Sequence, residues 1–117
     1  MEKMHAMVLS ECAKIETNPL KSTEIDKHEI KESDEILLKI DACGVCHSQL
    51  HGIEGDWQHI GIPATLPIVP GHEVVGKVIE IGKDVTKFKI GERAGITPLL
   101  EACKKCQYCK ELSLIHI

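Results

Sequence analysis

Val74-Val75-Gly76-Lys77-Val78-Ile79-Glu80-Ile81 is a strand signal in the sequence. It is rich in β-branched residues, which pack well on a pleated surface and lose rotamer freedom in a helix. Gly71 and Gly82 lie on either side of it, and Gly82-Lys83-Asp84 reads as the turn that ends a strand. Upstream, Glu35 to Ala42 reads as a second, partly buried strand, and Met4 to Ile15 opens on an apolar run. Downstream, Gly91-Glu92 makes a turn before the short run Ala94-Gly95-Ile96. Helix signal is confined to about Cys46 to Glu54. The segment Trp57 to Gly71 carries Pro63, Pro67 and Pro70 and is incompatible with regular helix. The expected fold class is mostly β, an irregular barrel of short strands with short helices.

Composition supports that class. With one each of Trp57, Tyr108 and Phe88, the core must be built from Val, Ile and Leu. At 117 residues the chain is one domain, small for an enzyme that also holds a dinucleotide. A net charge of −4 without a basic cluster argues against nucleic acid. No apolar segment approaches the roughly 20 residues that span a bilayer, so no membrane partner is expected. Charges interrupt the start, MEKMHAMVLSECAKIE, where a signal peptide would need an apolar run. The expected location is therefore the cytoplasm, where thiols stay reduced. Six cysteines in that compartment point toward metal or redox chemistry.

Two places concentrate the chemistry. The first is Cys43-Gly44-Val45-Cys46-His47-Ser48-Gln49-Leu50-His51, joined by Gly71-His72-Glu73. Thiolate, imidazole and carboxylate are the side chains that bind zinc. Cys46 and His72 stand too far apart for a zinc knuckle, and ligands gathered from distant loops suit a catalytic site with an open position. Cys43 to Cys46 also reads as a redox dithiol, but no thioredoxin-like strand-helix-strand surrounds it. Cys43 to His47 spells the attachment signature of c-type haem, yet the only methionines, Met1, Met4 and Met7, lie upstream of it. Cys43 is expected to pack as a small hydrophobe. The second place is Cys103-Lys104-Lys105-Cys106-Gln107-Tyr108-Cys109, whose spacing wraps around one tetrahedral metal. An iron–sulfur cluster is the rival, and its motif would continue with a fourth cysteine and a proline that do not follow.

The strings GVCHSQLH, LPIVPGHEVVGKVIEIGKDVTKFKIGERAG and CKKCQYC, in this order, resemble zinc-dependent medium-chain alcohol dehydrogenases. The match runs from about Met4 to Cys109 and covers the N-terminal, GroES-like catalytic domain of such an enzyme. The resemblance implies that Cys46 and His72 hold a catalytic zinc, with Glu73 the adjacent carboxylate able to approach it. Zinc would act as a Lewis acid on an alcohol, which gives up hydride to NAD or NADP. Ser48 would take the alcohol proton and His51 would pass it to solvent, as an imidazole that exchanges protons near neutral pH can do. His47 would approach the cofactor pyrophosphate, and Cys103, Cys106 and Cys109 would hold a structural zinc. The implied substrate is a small primary or secondary alcohol or an aldehyde, and a homo-oligomer of the full-length form stays open. Trp57 is a candidate wall of the substrate pocket.

The chain also departs from the family. Gln49 stands where an aspartate commonly orients the zinc-bound histidine, and an amide orients without polarising as strongly. The fourth structural cysteine is expected after seven intervening residues, where Ile117 stands. Residues 1–111 are read as the truncated catalytic domain. Leu112 to Ile117 is read as a non-native tail, encoded by adapter DNA at the end of a gene fragment. No G-x-G-x-x-G occurs, so the Rossmann domain is absent and the fragment alone is expected to be inactive. His5, His28, His59 and His116 match no motif and are expected at the surface. The alternative from a different class is a self-contained, non-catalytic zinc-binding or electron-transfer module.

Overall fold

The computed structural model describes residues 2–98, 103 and 105–111. Five strands and two short helices follow in chain order: β1 (Lys3–Leu9), β2 (Leu20–Asp26), β3 (Ile36–Cys43), α1 (His47–Glu54), β4 (Val74–Ile81), β5 (Arg93–Ile96) and α2 (Gln107–Glu111). β4 is the central strand of a three-stranded antiparallel sheet ordered β3-β4-β5. Its Gly76 and Val78 are buried while Val75, Lys77 and Ile79 are exposed, the alternation of a strand with one covered face. The expected strands at residues 35–42 and 94–96 are present with boundaries moved by one residue.

β2 carries no sequence signal of its own. LKSTEID is mostly polar, and it is a strand because β1 pairs with it along its whole length, from Lys3↔Asp26 to Leu9↔Leu20. The ladder supplies the order that the pattern lacks. This two-stranded sheet joins the loop before β4 through Leu9, whose N–H donates to Ile68 O at 2.8 Å and whose carbonyl accepts from Ile68 N–H at 2.9 Å. Among the described residues no ladder closes the two sheets into a ring. The buried apolar residues are Val8 and Leu9 on β1, Ile53 on α1, Val78 on β4 and Ala94 on β5.

α1 begins one residue after the expected start, with Cys46 as its extended N-cap. It ends at Gly55, whose φ of 81° suits glycine and whose N–H returns to His51 O. Helix is more widespread than the sequence reading allowed. A 3-10 turn occupies Gln58–Ile60, ahead of the first proline, and α2 follows Cys106. His116 and the tail 112–117, including Ile117, lie outside the described residues.

Candidate metal centre

The antiparallel register of β3 with β4 brings the two halves of the first motif together. Cys43 pairs with Val74, so the next residues along, Gly44 and Glu73, also face each other. Gly44 N–H donates to Glu73 O at 2.9 Å. The chain after Gly44 turns into α1 with Cys46 as its N-cap, while His72 and Glu73 immediately precede β4. One ligand atom from each of Cys46, His72 and Glu73 lies within 4.8 Å of the others. Thiolate, imidazole and carboxylate at that separation are a donor set that fits zinc.

Ser48 lies against both Cys46 and His72. Its Oγ lies 3.0 Å from Cys46 Sγ and 3.2 Å from His72 Nε2. Hydrogen bonds from the Ser48 hydroxyl, then from its backbone N–H, then from His72 hold the Cys46 thiol below its ordinary pKa. A thiol already biased toward thiolate is suited to ligation.

His47 and His51 stand four residues apart on α1, and that spacing puts them on one helix face. His47 Nδ1 lies 3.1 Å from His51 Nε2. Leu50 and Ile53 take another face, and Ile53 is buried. On its other side His51 Nδ1 meets Asp56 Oδ2 at 2.7 Å, and the Trp57 ring stacks on the imidazole at 4.9 Å. Ser48 and His51 share no hydrogen bond, so the two are neighbours on the helix rather than a direct pair.

Several expectations are revised. An apolar cavity of ≈ 430 Å³ lies beside Cys46, with walls that include Ile15, Leu20, Val45, Leu50 and Ile53. Trp57 packs on His51, because a short loop after Gly55 folds it back over the helix end. Gln49 makes no hydrogen bond to His72. Its amide donates to Pro70 O at 3.4 Å, and its Oε1 is buried without a partner. Cys43 is exposed at the end of β3 and stands outside the cluster. Asp56 escaped the sequence reading, although an acid five residues after a helical histidine, just past a glycine cap, is a local signal that could have found it. His5, His28 and His59 are exposed as expected.

The second cluster is assembled within seven residues. Cys103, Cys106 and Cys109 gather their sulfurs within 4.8 Å, with Cys103 Sγ 3.5 Å and Cys106 Sγ 3.4 Å from Cys109 Sγ. Cys106 N–H donates to Cys103 Sγ at 3.3 Å, and Cys109 N–H to Cys106 Sγ at 3.5 Å. The backbone N–H of Cys106, then that of Lys105, then the neighbouring thiols lower the Cys103 pKa to about 7.

Comparison with known proteins gives a consistent set of relatives. A model described as the alcohol dehydrogenase GroES-like domain matches residues 32–115. An alcohol dehydrogenase of Geobacillus stearothermophilus is 44% identical over 106 residues, which is 91% of this chain and 29% of that protein. Cinnamyl alcohol dehydrogenase 1 of Medicago truncatula is 50% identical over 76 residues, 65% of this chain and 20% of that protein. The structure of CAD from Helicobacter pylori complexed with NADP(H) superposes with a TM-score of 0.66 at 33% identity, covering 92% of this chain and 30% of that one. The chain thus spans less than a third of the length of each of these relatives.

Proposed function

This chain belongs to the alcohol dehydrogenase GroES-like domain family, and from that premise we propose that it supplies the metal-holding and proton-handling part of a zinc- and NAD(P)-dependent alcohol dehydrogenase. The substrate class is a small alcohol, interconverted with its aldehyde or ketone. The observation that carries this reading is the meeting of Cys46, His72 and Glu73 with a hydroxyl, Ser48, placed against the first two. Zinc held by Cys46 and His72 would supply Lewis acidity toward an alcohol oxygen.

The other steps fall to the chain's own side chains. Ser48 Oγ, lying between Cys46 Sγ and His72 Nε2, is placed to accept the proton of an alcohol that reaches the cluster. Asp56 accepts from His51 Nδ1–H and so fixes the tautomer in which Nε2 carries the lone pair. That lone pair faces His47 Nδ1, which then carries the N–H, and His47 gains a second N–H on Nε2 to donate to a cofactor phosphate only as the imidazolium. Since Ser48 and His51 do not touch, a hydroxyl or water must bridge them for the proton to leave by way of His51. Cys103, Cys106 and Cys109 would hold a second, structural zinc.

The test uses the full-length protein. Alcohol-dependent reduction of NAD or NADP is expected, and Cys46→Ala should abolish it. A full-length protein that reduces neither nucleotide with primary or secondary alcohols would overturn the reading.

A further inference from the structure

We propose that Gly44 is the residue that admits the Glu73 carboxylate to the metal cluster, through a bare Cα two residues before Cys46. This rests on the metal reading of Cys46 and His72 given above. Gly44 is not in the left-handed region of backbone space, unlike Gly55, Gly61, Gly71 and Gly91. Conformation therefore does not demand glycine here, and alanine would fit the backbone. Space at the position is shared with the Glu73 side chain. A Cβ on Gly44 would collide with Glu73 Oε2 and stand 3.1 Å from Glu73 Cβ and 3.4 Å from its Cδ. The Glu73 side chain lies along the surface that a methyl group would occupy.

Glu73 cannot yield by moving its backbone. Gly44 N–H bonds to Glu73 O at 2.9 Å, and the adjoining pair Cys43↔Val74 belongs to the β3–β4 ladder. A methyl on residue 44 is relieved by turning the Glu73 side chain about its own torsions, and on this proposal that turn takes the carboxylate out of reach of Cys46 Sγ and the His72 imidazole. Among the described residues that would leave two protein ligands at this cluster. Gly44 itself touches no metal. It is a positioning residue acting through Glu73.

The metal-free chain is titrated with Co(II) against a competing chelator and followed by visible absorption. Cys46→Ala supplies the signal of the second cluster alone. Gly44→Ala should weaken Co(II) at the first cluster by about tenfold, the size of effect seen when groups supporting a ligand are lost. Glu73→Ala should weaken it equally, and the double variant no further, because both changes remove one interaction. Wild-type affinity in Gly44→Ala, or losses that add in the double variant, overturns the proposal. A wild-type titration indistinguishable from Cys46→Ala overturns the metal reading itself, and the proposal with it. A second measurement does not depend on how the variant folds. With 13C-labelled glutamate, assigned by Glu73→Ala, the Glu73 Cδ resonance of the wild-type chain should move when zinc is added. A Glu73 resonance that stays still overturns the proposal.

Discussion

The two candidate metal clusters of this molecule, one of three thiols and one of thiol, imidazole and carboxylate, are built in opposite ways. Cys103, Cys106 and Cys109 come from one short segment, and the sulfurs are drawn together by N–H groups of that same segment. Cys46, His72 and Glu73 come from segments 26 residues apart in sequence, and they meet because Cys43 pairs with Val74. A local cluster needs only its own turn. A distant one needs the sheet. The same metal would therefore report on different things at the two places: local backbone at the second, tertiary register at the first.

The largest effect expected from this comparison is on metal content. Cys46→Ala should remove about one equivalent of zinc per chain and leave the second cluster loaded, while Cys103→Ser should do the reverse. Metal analysis after gel filtration under reducing conditions checks both. If either substitution strips both sites, the clusters are not independent and the contrast fails.

A core substitution should separate them next. Leu9 is 1% exposed and holds the Ile68 backbone on both sides, a short distance before Pro70-Gly71-His72. Leu9→Ala should cost about 3 kcal/mol of folding stability through lost burial and the cavity left behind. Urea unfolding measures that cost. Zinc at Cys46 and His72 should weaken with it, while zinc at the second cluster should hold. Equal weakening at both would show that the second cluster also depends on the core.

The finest effect is in thiol reactivity. Because backbone N–H groups lower the Cys103 pKa to about 7, its thiolate persists below the ordinary thiol range. In the metal-free chain, alkylation of Cys103 should be fast above neutral pH and fall as pH drops through about 7. Peptide mapping after timed alkylation reads this directly. A fall-off in the ordinary thiol range would mean that the segment is not organised before metal arrives.

Much of the molecule was legible before its fold was known. Val74 to Ile81 declared itself because β-branched residues bounded by glycines have few other stable conformations. α1 was legible as a helix signal at about Cys46 to Glu54, and Cys46 and His72 from the residue types that suit zinc. β2 was not legible, because Leu20 to Asp26 has no apolar alternation and is ordered by its partner. The neighbour of Trp57 was not legible for a related reason: an aromatic in a loop can pack in many ways, and the turn after Gly55 sets it on His51.

The sequence by itself determined the strand-rich class, the helix after Cys46, and the second cluster, whose spacing brings its sulfurs together without help from elsewhere. Those features depend on interactions over a few residues, where side-chain shape and backbone hydrogen bonding leave little choice. Tertiary contacts were needed to place Glu73 against Gly44, Gln49 at Pro70 rather than His72, and Ser48 rather than His51 beside Cys46 and His72. Each of the first two is a contact across the β3–β4 register or the helix that follows it, and the third turns on where that register puts His72. Shifting the register by one residue would turn the side chains to the opposite face and leave every local signal in the sequence unchanged.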